Sequence, residues 1–146
     1  MLTLQKVEME HLPTLAMLLE ELTGEKTNLS KLEETYQRLL HNENYVVLGA
    51  IYGGELVGSV MGIYCEDLAG ECNPFMVIEN VVVSSKARRQ GVGRKLMDRM
   101  EGLARSKQCS YIILVSGAGR SEAHRLYESL GYNEKESVVG FRKYLD

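Results

Sequence analysis

The sequence predicts a single α/β (α+β) domain over residues 1–146, with a mixed, mostly antiparallel sheet of about six to seven strands flanked by about four helices. Three observations carry this. Apolar residues form short β-branched runs in some segments and recur at helical spacing in others, in the order β-α-α-β-β-β-α-β-α-β-β. Two of the β runs, residues 45–52 and 56–64, are joined by Gly53-Gly54, which meets the positive-φ demand of a tight hairpin turn. Around residues 77–130 strand, helix, strand and helix follow one another, so the parallel part of the sheet belongs there.

Residues 2–7 alternate apolar and polar and read as a first strand. Leu12, Leu15, Ala16, Leu19 and Leu22 make a helical stripe with Pro13 near its start, and Thr23-Gly24 ends it. Asn28 or Ser30 suits the cap of a second helix, with stripe Leu29, Leu32, Tyr36 and Leu39. After the hairpin, the polar loop 66–74 leads into a third β run that includes Ile78 and Val81–Val83. The next helix carries Val92, Leu96, Met100 and Leu103 on one face. A strand over 111–115 and a helix with Ala123, Leu126, Tyr127 and Leu130 come next, with Gly131 placed for a left-handed C-cap. The remaining residues suit two strands, 132–135 and 138–145.

Composition limits the function classes. A chain with 45% hydrophobic and 25% charged residues folds around a core rather than staying disordered. The net charge of -3 argues against a general nucleic-acid binder. Neither a signal-like leader nor an apolar run of ~20 residues is seen, so the expectation is a cytoplasmic protein with no membrane partner. Cys65, Cys72 and Cys109 have no metal-ligand spacing and read as thiols in a reducing compartment. The dispersed His11, His41 and His124 add no metal site, and no metal is expected.

The chemistry concentrates in residues 77–94. A buried strand runs through Ser84–Ala87 into Arg88-Arg89-Gln90-Gly91-Val92-Gly93-Arg94 and then a helix. Unpaired N–H groups, the helix dipole, glycines and arginines together make an anion site. A P-loop needs Lys-Ser/Thr after its last glycine, and a dinucleotide turn needs a third glycine; neither is present.

This stretch resembles the acetyl-CoA signature of the GNAT superfamily of N-acetyltransferases, Arg/Gln-x-x-Gly-x-Gly/Ala, after a strand of the Ile-x-x-Val-x-Val type. Ala123-His124-Arg125-Leu126-Tyr127-Glu128-Ser129-Leu130-Gly131-Tyr132 resembles the later signature of that superfamily, at the usual interval. The resemblance implies a GNAT-like fold and acetyl-CoA as co-substrate. It assigns backbone pairing with the pantetheine arm to the Val81–Val83 strand, through Val81 and Val83. It assigns the phosphates to the turn from Arg88 to Arg94, with charge from Arg88, Arg89, Arg94 and Lys95. The chain departs from it twice: Arg89 stands where relatives usually have Gly, and Arg120 where they often have Asn. Ser121 is left to donate a hydroxyl there or to cap the helix.

Acetyl transfer to an amine requires loss of the amine's proton, stabilisation of the developing oxyanion and protonation of the leaving thiolate. The resemblance makes Tyr127 the general acid, and Glu79 is the candidate base, since many relatives use an acid near this position, often through a water. The period of two puts Glu79 and Val81 on one face of the central strand and Asn80 on the other. By the same resemblance the acceptor site draws on the first two helices and their connection, the loop before the central strand, and the last hairpin. Glu25, Glu66, Asp67, Glu71, Glu134 and Glu136 lie in those segments, a composition suited to a cationic small-molecule amine. A protein or peptide amine, and a CoA-binding module without catalysis, stand as the other readings. Many relatives are dimers, so a homodimer is within expectation.

Overall fold

The computed structural model describes residues 1–145, in two compact units; the first spans Met1–Ile113 and the second begins at Leu114. The first unit holds five strands in one sheet, ordered β1-β2-β3-β4-β5. These are β1 (Leu2–Lys6), β2 (Tyr45–Tyr52), β3 (Glu55–Cys65), β4 (Phe75–Val83) and β5 (Ile112–Ile113). The first four pair antiparallel with their neighbours, and β5 joins β4 in parallel. Helices α1 (Leu12–Thr23), α2 (Leu29–Leu40) and α3 (Val92–Ser106) belong to this unit, and α4 (Ser121–Ser129) to the second.

Local chemistry explains the boundaries. Gly24 ends α1 at φ +77°, the left-handed conformation that a Cβ disfavours. Asn28 caps α2, its side chain accepting from the Lys31 N–H at 3.1 Å. Leu12, Leu15 and Leu18 of α1, Tyr36 of α2, Leu56 of β3 and Val82 of β4 form one buried cluster with Val7. Inside it the Tyr36 hydroxyl donates to the Val7 carbonyl.

Helix α3 packs against β3 and β4 through Val92, Leu96, Met97, Met100 and Ala104, all buried. Two glycines of β3 let it sit close. A methyl group at Gly58 would lie 2.9 Å from Val92 Cγ1 and 3.1 Å from the Val82 carbonyl; one at Gly62 would lie 2.9 Å from Met100 Sδ. The absence of a side chain at Gly58 sets the height of the first turn of α3 above the sheet, and that at Gly62 makes room for Met100 further along the helix.

The sheet is smaller than the expected six to seven strands. Among the described residues no strand forms over 132–135 or 138–145, and β5 keeps only two of the five residues of the expected strand 111–115. Alternation alone does not make a strand, which needs a neighbour and a layer to bury against. Val139, Phe141, Tyr144 and Leu145 remain largely exposed.

Candidate active site

Strand β4 is irregular where the candidate residues lie. Its register against β3 slips between Ser59 and Met61, which face Val82 and Glu79, and Asn80 takes φ +56°. This is a β-bulge, and asparagine is among the few residues that tolerate its left-handed turn. The bulge reverses the alternation. Met76 approaches the Gly62 and Met100 side of the sheet, whereas Val82 joins the α1 cluster on the other face. Six residues apart in a regular strand, they would share a face. The period-of-two argument for Glu79 and Val81 therefore fails across Asn80.

The backbone reverses too. The Met76 N–H donates toward β5, to the Tyr111 carbonyl at 3.1 Å, while the Ser84 N–H donates toward β3, to Val57 at 2.8 Å. Counting back from Ser84 in steps of two, Val81 and Val83 turn their peptide groups to the β5 side of β4. The Arg88 guanidinium already reaches the Val83 carbonyl, Nε donating at 3.5 Å. Pairing with β5 stops at Val77–Ile113, so that side of β4 has no strand neighbour beyond it among the described residues. A peptide-like arm fits such an edge. Val81 and Val83 are half-buried, Val82 is buried, and Glu79 is exposed.

The turn follows directly. Ser84 opens a 3-10 turn over Ser85–Ala87, its hydroxyl accepting from the Lys86 N–H at 3.3 Å. Arg89 then takes φ +65° and Gly91 φ +76°. Arg89 sits in the region glycine prefers, at a cost of roughly 1–2 kcal/mol. Gly91 is the N-cap of α3 and brings no capping side chain; the Lys95 N–H bonds the Gly91 carbonyl at 3.0 Å, and the helical N–H groups ahead of it have no intrahelical acceptor. Arg88, Gln90 and Arg94 are exposed around it, Gly93 is half-buried, and Val92 anchors the turn at 3% exposure. This donor set fits the phosphates of a nucleotide-bearing cofactor.

Tyr127 lies on α4, in the second unit. It is half-buried and packs edge-to-face with Tyr132, centroids 5.9 Å apart. Burial pushes its phenol above the usual value, and the Arg120 charge pulls it partly back. Helix α4 does not use Ser121 as its cap: Ser121 is its first helical residue, and Arg120 stands at the N-cap without a side-chain bond. The cause is a turn closed by the Arg120 N–H to the Gly117 carbonyl at 3.1 Å, which delivers Arg120 to that position. Gly131 follows the helix at φ +95°, as its placement predicts.

Of the acidic residues, Glu25, Glu66 and Glu71 are exposed in the first unit, and Glu134 and Glu136 in the second. Asp67 is turned inward on its own loop, accepting from the Leu68 and Ala69 N–H groups at 2.7 and 3.3 Å. Asn80 is the residue that sequence reasoning undervalued. Its only signal is its tolerance of positive φ; the slipped register belongs to the pairing of two strands.

Comparison with known proteins gives a consistent result. The model of the "Acetyltransferase (GNAT) family" matches residues 13–132. Aminoglycoside N(6')-acetyltransferase type 1 of Stenotrophomonas maltophilia is 30% identical over 117 residues, covering 79% of this chain and 76% of that protein. Its namesake from Serratia marcescens is 31% identical over 75 residues, 51% of each chain, so this chain spans about half the length of that relative. Among solved structures, the Trypanosoma brucei acetyltransferase superposes with TM-score 0.82 at 26% identity, covering 100% of this chain and 99% of that one. A predicted acetyltransferase from Clostridium acetobutylicum, solved with acetyl-CoA, has the same fold at TM-score 0.75 and 16% identity, covering 97% and 96%.

Proposed function

The chain belongs to the acetyltransferase (GNAT) family, an acetyl-CoA-using family, and we propose that it acetylates a primary amine on a small polycationic molecule. The bulged β4, with one side of its backbone open beside an uncapped helix start, is the observation that supports this reading best. When bound, acetyl-CoA supplies the thioester carbonyl that the amine attacks. Val81 and Val83 offer peptide groups to its arm, and the turn from Arg88 to Arg94 holds its phosphates. Tyr127, kept protonated by burial, donates to the leaving sulfur. Glu79, directly or through water, takes the proton of the incoming ammonium. The acids Glu25, Glu66 and Glu71 favour a cationic acceptor, and the similarity to aminoglycoside acetyltransferases supports an amino sugar.

Release of CoA thiol from acetyl-CoA over a panel of amines tests this. Amino sugars are expected to turn over faster than peptide N-termini or lysine peptides. A preference for peptides would overturn the substrate class. CoA binding, read by thermal shift, without turnover of any amine would make the chain a binding module.

A further inference from the structure

A second concavity lies on the opposite side of β4 from the edge described above. It is a cleft of about 400 Å³ between the start of β1, the tip of the β2–β3 hairpin, the 3-10 turn and the first turn of α3. That volume is within the usual range for small-molecule sites, about 300–1,000 Å³. Its apolar lining includes Leu2, Val57, Ala87 and Val92, together with the half-exposed ring of Tyr52. Two lysines stand over it, Lys86 from the turn and Lys95 from α3, against a single acid, Glu55. None of the three is in an ion pair among the described residues.

The first turn of α3 is a party wall. Its leading backbone N–H groups are those assigned above to the phosphates, while the Val92 and Lys95 side chains line the cleft. Lys95, which the sequence motif groups with the phosphate-binding cations, thus lines this cleft, as do Gln90 and Val92 of the same turn. The walls are held: Ser84 N–H bonds Val57, and Ala87 N–H bonds the Ser84 carbonyl at 2.9 Å.

We propose that this cleft is a ligand site of its own, taking a small aromatic carboxylate. The Tyr52 ring and the apolar floor match a flat hydrocarbon body, and the two ammonium groups match a carboxylate at its rim. The site does not depend on acetyl transfer and is not the seat of the reaction. The cleft lies on the β3 side of β4, away from the edge assigned to the cofactor's arm, and shares only Gln90 and Val92 with the phosphate turn, so on this proposal the two ligands bind together.

The test is a titration of the full chain with 2-naphthoate, followed by amide chemical shifts, with and without saturating CoA. Saturable shifts are expected at Tyr52, Val57, Ala87 and Val92, and CoA should not displace the probe. The neutral 2-naphthamide should bind on the order of ten-fold more weakly, as should 2-naphthoate to Lys86→Ala or Tyr52→Ala. Both replaced side chains lie at the surface, so the variants keep their fold, which their own spectra report. Absence of saturable binding, shifts confined to other residues, equal affinity for the amide, or displacement by CoA would each overturn the proposal.

Discussion

Two side chains carry separable parts of the proposed chemistry. The raised pKa of Tyr127 leaves its phenol protonated through neutral pH, and the form that donates is lost only above the ordinary value of 10.0. Loss of turnover from this group should therefore begin on the alkaline side of 10. Tyr127→Phe should reduce kcat by about 10²–10⁴ while the KM for acetyl-CoA stays within a few-fold. Unchanged turnover would remove the general-acid role. Glu79→Gln should act differently. A base is needed only while the amine is protonated, so the defect should shrink as pH rises toward the amine's pKa of about 10. A constant defect across the pH profile would exclude Glu79 as base. The positions of these residues in the chain were readable; the environment of Glu79 was not. Its orientation depends on Asn80, one residue with φ +56°, and on a register slip that exists only in the pairing with β3.

Elements were legible wherever a local rule sufficed. The Gly53-Gly54 turn has positive φ at both residues, and Asn28 caps α2, because both choices are made by the residues themselves. The 132–145 segment was misread because pattern alone says nothing of a partner strand. The seating of α3 is intermediate, written in β3 as Gly58 and Gly62 but visible only once the helix is packed. These two positions should differ on substitution. At Gly58 a methyl meets a stiff β-branched side chain and a backbone carbonyl; at Gly62 it meets the flexible Met100. Gly58→Ala should cost about 1–3 kcal/mol in urea denaturation and also raise the KM for acetyl-CoA. Gly62→Ala should do less of both. Equal effects would show that α3 is not held by its first turn.

On the scale of the whole molecule, the Tyr36–Val7 contact joins α2 to the end of β1 inside the main cluster. Burial, with a smaller contribution from Glu8, pushes the Tyr36 phenol up to about 12 from 10.0. The folded protein thus holds this proton more tightly than the unfolded chain. The resulting stability is complete below pH 10 and is lost as pH rises through about 12, an effect on the order of 2 kcal/mol. Denaturation midpoints measured between pH 9 and 12 should fall accordingly, and Tyr36→Phe should flatten that fall while lowering stability at neutral pH.

The open side of β4 has a consequence of another kind. A row of peptide groups without a strand neighbour is also a template on which a foreign strand can grow. Glu79 and Arg88, charges at the two ends of the row, are of the type that discourages such growth. A cofactor arm seated there would block it altogether. Acetyl-CoA would then act as a solubilising agent as well as a reactant, and stripping it from concentrated protein should bring forward the onset of light scattering on warming.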